Sequence, residues 1–243
     1  MPSEEWNQKT WGNEQNWITY MNGEQWSHAW GGSSAQWYGL IFPRIAAFLP
    51  CNKILEIAPG FGRWTNFLIQ NCNHLTGIDI SKPCIDHCHK RWGNKSTFIL
   101  TNGTTIPTKE KYDFVFSFDS LVHVEYEVIR AYISGILNNL SSTGYAFIHH
   151  SNLYEFRKDL PDNTHARALS VSADHVKCWI QEFGGKTVVQ EKVNWGTTKL
   201  IDCFTLFTPN SNLTQKNTSI IENSNLMDNA TQICNYIAPY HNI

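Results

Sequence analysis

The run Ile54-Leu55-Glu56-Ile57-Ala58-Pro59-Gly60-Phe61-Gly62 constrains the fold more than any other stretch of the chain. Residues 53–58 form a short apolar segment of the kind that becomes a buried strand, and it ends in a turn of small residues. A helical pattern starts directly after it, over about 63–71. Gly60 and Gly62 let the backbone approach a ligand with no Cβ in the way, and the first N–H groups of the helix lack intrahelical partners. Strand, small-residue bend and helix start, in that order, form a site for a nucleotide-type ligand.

Downstream the same alternation repeats. Residues 74–80, 97–100, 112–118 and 144–149 have strand character, and 83–92, 126–140 and 171–183 have helical character, with Pro83 suited to a first turn. Two β-rich runs, 186–193 and 199–207, joined through Asn194-Trp195-Gly196, suit an antiparallel hairpin. The expected fold class is α/β, a Rossmann-like, doubly wound, seven-stranded sheet with an antiparallel final strand and helices on both faces. Residues 51–209 make up that domain. Residues 1–50 precede it as an N-terminal helical cap, which holds six of the ten tryptophans (positions 6, 11, 17, 26, 30 and 37) and a helix over 35–49 before Pro50. From 210 to 243 the composition turns to Asn, Ser and Thr, which suits a mobile tail or a surface arm whose apolar end (233–240) docks elsewhere.

Composition narrows the partners. The net charge of −2 offers no overall basic field for nucleic acid phosphates. No run approaches the roughly 18 apolar residues of a membrane span. The start of the sequence has no secretory pattern, and the seven cysteines are odd in number and scattered, so the cytoplasm is the expected location.

An acid followed two, four and six residues later by small residues (Glu56, then Ala58, Gly60 and Gly62) is a specific pattern. The NAD fingerprint wants a third glycine where Thr65 stands. The arrangement instead resembles the first motif of class I S-adenosylmethionine-dependent methyltransferases, with Ala58 in place of the first glycine. The resemblance covers about 53–207 and implies S-adenosylmethionine as cofactor. It implies that Glu56 orients the turn and the amino-acid end of that cofactor. Asp79, with Ile80 beside it, would bind the ribose diol. Asn102, followed by Gly103, stands where the family often has Asp near the adenine amino group, and Phe118 would lie by the adenosine or the methionine chain. An NAD-dependent oxidoreductase is the alternative from another class.

Ligands in open α/β sheets lie beyond the carboxyl ends of the strands. Two polar clusters fall there, Asp119-Ser120-Leu121-Val122-His123 and His149-His150-Ser151-Asn152. His149 is the first candidate for a general base, His150 the second and His123 the third, because an imidazole titrates near neutrality. Asp119 would orient the base or hold the substrate. A histidine at a strand end serves equally well as a hydrogen-bonded structural residue. A divalent metal held by Asp119, His149 and His150 is a weaker alternative that lacks a compact ligand motif. The group Cys84, His87, Cys88 and His89 lies within one helix and has no second half of a zinc site.

No Asn/Asp-Pro-Pro-Tyr follows the fourth strand, which argues against nucleobase methylation. Several phrases are similar to bacterial saccharide O-methyltransferases: Trp30-Gly31-Gly32-Ser33, Phe61-Gly62-Arg63-Trp64-Thr65, Phe147-Ile148-His149-His150-Ser151-Asn152, and Trp195 with Asp202. That resemblance implies methyl transfer to a hydroxyl of a sugar or related small metabolite. A small amine is the alternative acceptor. The loop 153–170, with Arg157, Lys158, His165 and Arg167, is placed to close over the acceptor. The oligomeric state is left open.

Overall fold

The computed structural model describes residues 3–209 and 218–241. Side-chain caps start the first two helices: Ser3 accepts from the Trp6 N–H at the head of α1 (Glu4–Trp11), and Asn13 accepts from the Gln15 N–H at the head of α2 (Glu14–Thr19). A 3-10 run, Met21–Trp30, brings the chain to α3 (Ser33–Gln36). The single helix expected over 35–49 is divided: α3 passes through a π turn, Trp37–Ile41, into α4 (Phe42–Ile45). Pro43 has no N–H to give to the carbonyl of Gly39, so the regular ladder cannot run through.

The sheet begins with β1 (Cys51–Ile57), followed by α5 (Thr65–Leu68), β2 (Cys72–Asp79), α6 (Lys82–Trp92), β3 (Ser96–Leu100) and β4 (Tyr112–Ser117). Then come α7 (Tyr126–Asn139), β5 (Leu140–Ser151), α8 (Ala173–Glu182), β6 (Gly185–Val193) and β7 (Asp202–Pro209). The helix expected over 63–71 is shorter, with α5 ending in a 3-10 turn at Ile69–Asn71. Strand order is β3-β2-β1-β4-β5-β7-β6-β8. β7 runs antiparallel to both of its neighbours, and the other pairs are parallel. The order reverses between β1 and β4, which opens a crevice at their carboxyl ends.

The expected seven strands become eight, and over its described part the segment from 210 is a surface arm with a strand and a helix of its own, its apolar end packed on the cap. Residues 218–241 carry β8 (Ser219–Asn223), which pairs with β6, and α9 (Leu226–Tyr236). Arg44 holds Glu191 of β6 through two bonds of 2.7 Å, and Asn223 donates to the same carboxylate at 2.7 Å. Asn194 accepts from the Leu226 N–H at 3.0 Å and so starts α9. A Cβ at Gly39 would lie 2.7 Å from Ile233, so the bare glycine lets α9 seat against the cap. Composition hid this because polar Asn-rich strands and caps look like a linker. Residues 210–217 of that expected tail lie outside the described residues.

Alternation along the strands divides the core. Phe114, Phe116, Phe147 and Phe204 pack with Trp30 and Trp37 on one face, while Val115, Ala146, Ile148 and Phe207 meet α7 and α8 on the other. Consecutive residues of β5 therefore face opposite layers, which decides the fate of the histidine pair.

Candidate active site

A cavity of ≈ 560 Å³ lies at the crevice, with the bend after β1 on one side and the tryptophan cap over it. Its volume is in the range of small-molecule sites. Ala58, Pro59 and Gly60 of the bend line it together with Asp79, Ile80, Gly103 and Phe118. The Gly60 N–H donates to Asp79 Oδ2 at 3.0 Å, and the Ser81 N–H donates to Oδ1 at 2.8 Å. Bend and acid therefore belong to one site. Burial pushes the Asp79 carboxyl up to about 6 in spite of these backbone donors.

Several of the motif residues already have partners within the protein. A Cβ on Gly60 (φ 58°) would lie 2.3 Å from the ring of Trp17, so an indole makes the close approach expected of a ligand. Gly62 faces the ring of Trp92 and is off the cavity wall. Glu56 is buried under the bend, where the Thr65 hydroxyl donates to it at 2.6 Å, and burial pushes its pKa to about 8. It ties β1 to the start of α5. Asn102 is exposed and off the wall: its Oδ1 accepts from the N–H groups of Thr104 and Thr105 at 3.1 Å and from both their hydroxyls. An Asx-type turn has absorbed the amide oxygen expected to meet adenine.

On the acceptor side, Asp119 takes a left-handed conformation (φ 62°) just after β4. Arg63 Nη2 reaches its carboxylate at 3.0 Å and Arg167 Nη2 at 3.5 Å. Burial alone raises this carboxyl, but Arg63 and Arg167 overcome it and hold the pKa below the usual range. Both arginines line the cavity. Arg63 was within reach of sequence reasoning, because it is the first residue after the glycine bend.

The histidines separate. His149 is fully buried behind the wall. Its Nδ1 accepts the Asp119 N–H at 3.2 Å, so the ring proton sits on Nε2 and is donated to Asp202 at 2.9 Å. Both nitrogens are engaged, which does not suit the expected general base. His150 lies on the opposite face, with Nδ1–H donated to the Ser151 carbonyl at 2.9 Å and Nε2 accepting from Thr205 at 2.7 Å. Burial pushes it down to about 4. Of the three candidates, His123 is the one on the cavity wall. His123 lines the cavity, and its Nδ1–H donates to the Ala166 carbonyl at 2.9 Å. Its Nε2 lone pair has no partner among the described residues. Burial, then Arg167, push it down to about 4, so it is neutral at physiological pH. Asp119, His149 and His150 do not converge on one point, and no group of three or more metal-ligating side chains gathers among the described residues.

The roof is aromatic. Trp6, Trp11, Trp17, Tyr20 and Trp26 line the cavity with Trp195 from the opposite side. Trp11 is central, 5.5 Å from both Trp26 and His123, and the Asn7 amide donates to the His123 carbonyl at 2.8 Å. Tyr132, with Val128 one turn before it on α7 and Val124 just ahead of the helix, completes the wall near Asp79. No sequence motif marks Tyr132.

Residues 54–144 match the family described as "Methyltransferase domain". No curated protein matches the chain. Among solved structures, the chain is similar to the N-methyltransferase NodS from Bradyrhizobium japonicum WM9 in complex with S-adenosylhomocysteine. The TM-score is 0.60 at 16% identity, covering 87% of this chain and 100% of that one. An S-adenosylmethionine-dependent methyltransferase from Clostridium acetobutylicum ATCC 824 gives 0.58 at 12% identity, covering 72% and 92%. The CcbJ methyltransferase from Streptomyces caelestis gives 0.55 at 13% identity, covering 73% and 95%. The chain has the fold of these S-adenosylmethionine-dependent methyltransferases, and residues 54–144, which supply the bend and Asp79, are the stretch that matches the methyltransferase-domain family.

Proposed function

We propose that the chain transfers a methyl group from S-adenosylmethionine to a hydroxyl of a saccharide or related small ring compound, with His123 as the proton acceptor. The observation that carries this reading is the His123 ring: it is on the cavity wall, its tautomer is fixed by the Ala166 carbonyl, and its Nε2 is left without a partner among the described residues.

The cavity suits the cofactor. Its volume, the carboxylate of Asp79 and the small residues of the bend fit an adenosyl ligand. S-adenosylmethionine, when bound, supplies a methyl group on an already activated leaving group. The protein's part is then alignment and removal of a proton. Asp79 is placed to accept hydrogen bonds from a diol. The indole faces of Trp6, Trp11 and Trp26 offer flat apolar surface for a ring, with Thr10 and Asn16 as polar edges. They also keep water away. A hydroxyl oxygen becomes strongly acidic as its new bond forms, so a histidine held near 4 is basic enough to take the proton to Nε2.

Incubating the protein with methyl-labelled S-adenosylmethionine and a panel of glycosides tests the reading. In His123→Gln, kcat should fall roughly 10²-fold or more while cofactor binding is kept. Unchanged kcat would remove the assigned base.

A small amine is the second reading, favoured by the carboxylates of Glu4 and Glu125 beside the indoles. Turnover of amines but not glycosides, with a rate indifferent to His123→Gln, would select it.

A further inference from the structure

The loop after β3 leaves the adenosine half of the cavity short of a polar partner. Asn102 spends its amide oxygen on four donors of its own loop, and Gly103, which does reach the wall, has no side chain. α7 answers from another wall. Tyr132 is 4% exposed and lines the cavity, yet its hydroxyl has no hydrogen-bond partner among the described residues. The hydroxyl oxygen is not itself sealed in the core: it opens onto the cavity, within reach of a ligand's polar group. Phenylalanine would fill the same apolar surroundings, between Val128 and the cluster around Ile129 and Ile133, so packing alone does not call for the hydroxyl. Burial, then the nearby charge of Asp79, raise the phenol's pKa, so the hydroxyl keeps its proton and can both donate and accept.

We propose that Tyr132 is an adenosine-binding residue: its hydroxyl holds the adenosine half of S-adenosylmethionine, in the place of the side chain expected after β3. The proposal rests on the methyltransferase reading above and moves one recognition contact from a loop to a helix. Tyr132 stands in the same cavity as Asp79, so one cofactor can meet both. The two sides of the adenosine pocket are then fixed by a strand end and by a helix packed on the sheet, both stiffer than the loop 101–105.

The test is calorimetric and needs no acceptor. S-adenosylhomocysteine and adenosine are titrated into the wild-type chain and into Tyr132→Phe, with the melting temperature of each recorded. The expected result is a dissociation constant weakened roughly three- to tenfold for both ligands, the loss of one hydrogen bond, in a variant that melts no lower than wild type. Equal affinities in the two proteins would overturn the proposal. So would a loss confined to S-adenosylhomocysteine, which would put the hydroxyl on the amino-acid half. If wild type binds neither ligand, the cofactor reading itself fails and takes this inference with it, a result distinct from an indifferent Tyr132→Phe.

Discussion

His149 Nε2 and Asp202 Oδ2 meet at 2.9 Å with neither side chain exposed, and the contact is one link of a closed ring. The Asp119 N–H donates to His149, His149 donates to Asp202, Arg167 donates to Asp202 at 2.8 Å, and Arg167 returns to the Asp119 carboxylate at 3.5 Å. Burial alone would raise Asp202, but Arg167 and His149 hold it well below the carboxylate range. The ring ties the ends of β4, β5 and β7 to the segment before α8. It also holds Asp119 in a left-handed conformation that costs a non-glycine residue roughly 1–2 kcal/mol.

Removing one charge should therefore cost more than removing two. Asp202→Asn leaves Arg167 buried with one weaker partner, and its expected loss is about 3–5 kcal/mol in urea unfolding. Pairing it with Arg167→Met should recover part of that loss, since the stranded cation is gone. A double variant less stable than the single one would show that the ring is not held by its charges.

Trp17 and Gly60 make a second coupled pair. A methyl group at Gly60 would intrude on the indole at 2.3 Å, and at φ 58° it is strained in any case. Gly60→Ala should destabilise by about 1–3 kcal/mol. In the Trp17→Leu background the penalty should shrink toward the conformational part alone, which a double-mutant cycle reads directly. An undiminished penalty would mean that the indole is not what the glycine accommodates.

The sequence made the sheet legible because strand and helix periods alternate cleanly from Lys53 onward, and the bend before Gly62 joins Asp79 as its spacing implied. What escaped was decided by tertiary contacts. The His149-His150 pair stands at a strand's carboxyl end, but pleating sends the two rings to opposite faces, and each finds partners (Asp202 and Thr205) more than fifty residues away. Asn102 looked like a ligand contact until its own loop claimed the amide. Arg167 was expected over the acceptor as part of its loop, but not its pairing with Asp202, and Tyr132 carried no motif, because a cavity wall is assembled from residues whose only shared property is where the fold puts them.

Glu56 gives stability a definite pH signature. Its folded pKa of about 8 lies above the ordinary 4.5, so the native state keeps a proton that the unfolded chain has released. Stability from this group is full below about 4.5 and is lost as pH rises through 8. Glu56→Gln keeps a neutral side chain of the same shape and removes the titration. Its stability relative to wild type should therefore rise with pH by about 1.4 kcal/mol per unit across that window. Urea titrations of both proteins at several pH values measure it, and a difference independent of pH would show that Glu56 is ionised in the native state.

The acid limb has the opposite sign and comes from the histidines. His123 and His150 are both held near 4 against an ordinary 6.5, so the unfolded chain binds their protons first. Their contribution is full above 6.5 and disappears as pH falls through 4. Over the same interval Glu56 and Asp79, whose pKa values are raised, gain stability as pH falls, and the two effects offset each other in the wild-type chain. The acid loss is therefore seen by difference. His150→Gln should gain on wild type as pH drops from 6.5 to 4, by on the order of 2–3 kcal/mol in total. His123→Gln should do the same, since its ring is also neutral in the fold. If the His150 variant keeps a constant distance from wild type through this range, the imidazole between Ser151 and Thr205 is protonated in the native state, and the neutral form drawn for it is incorrect.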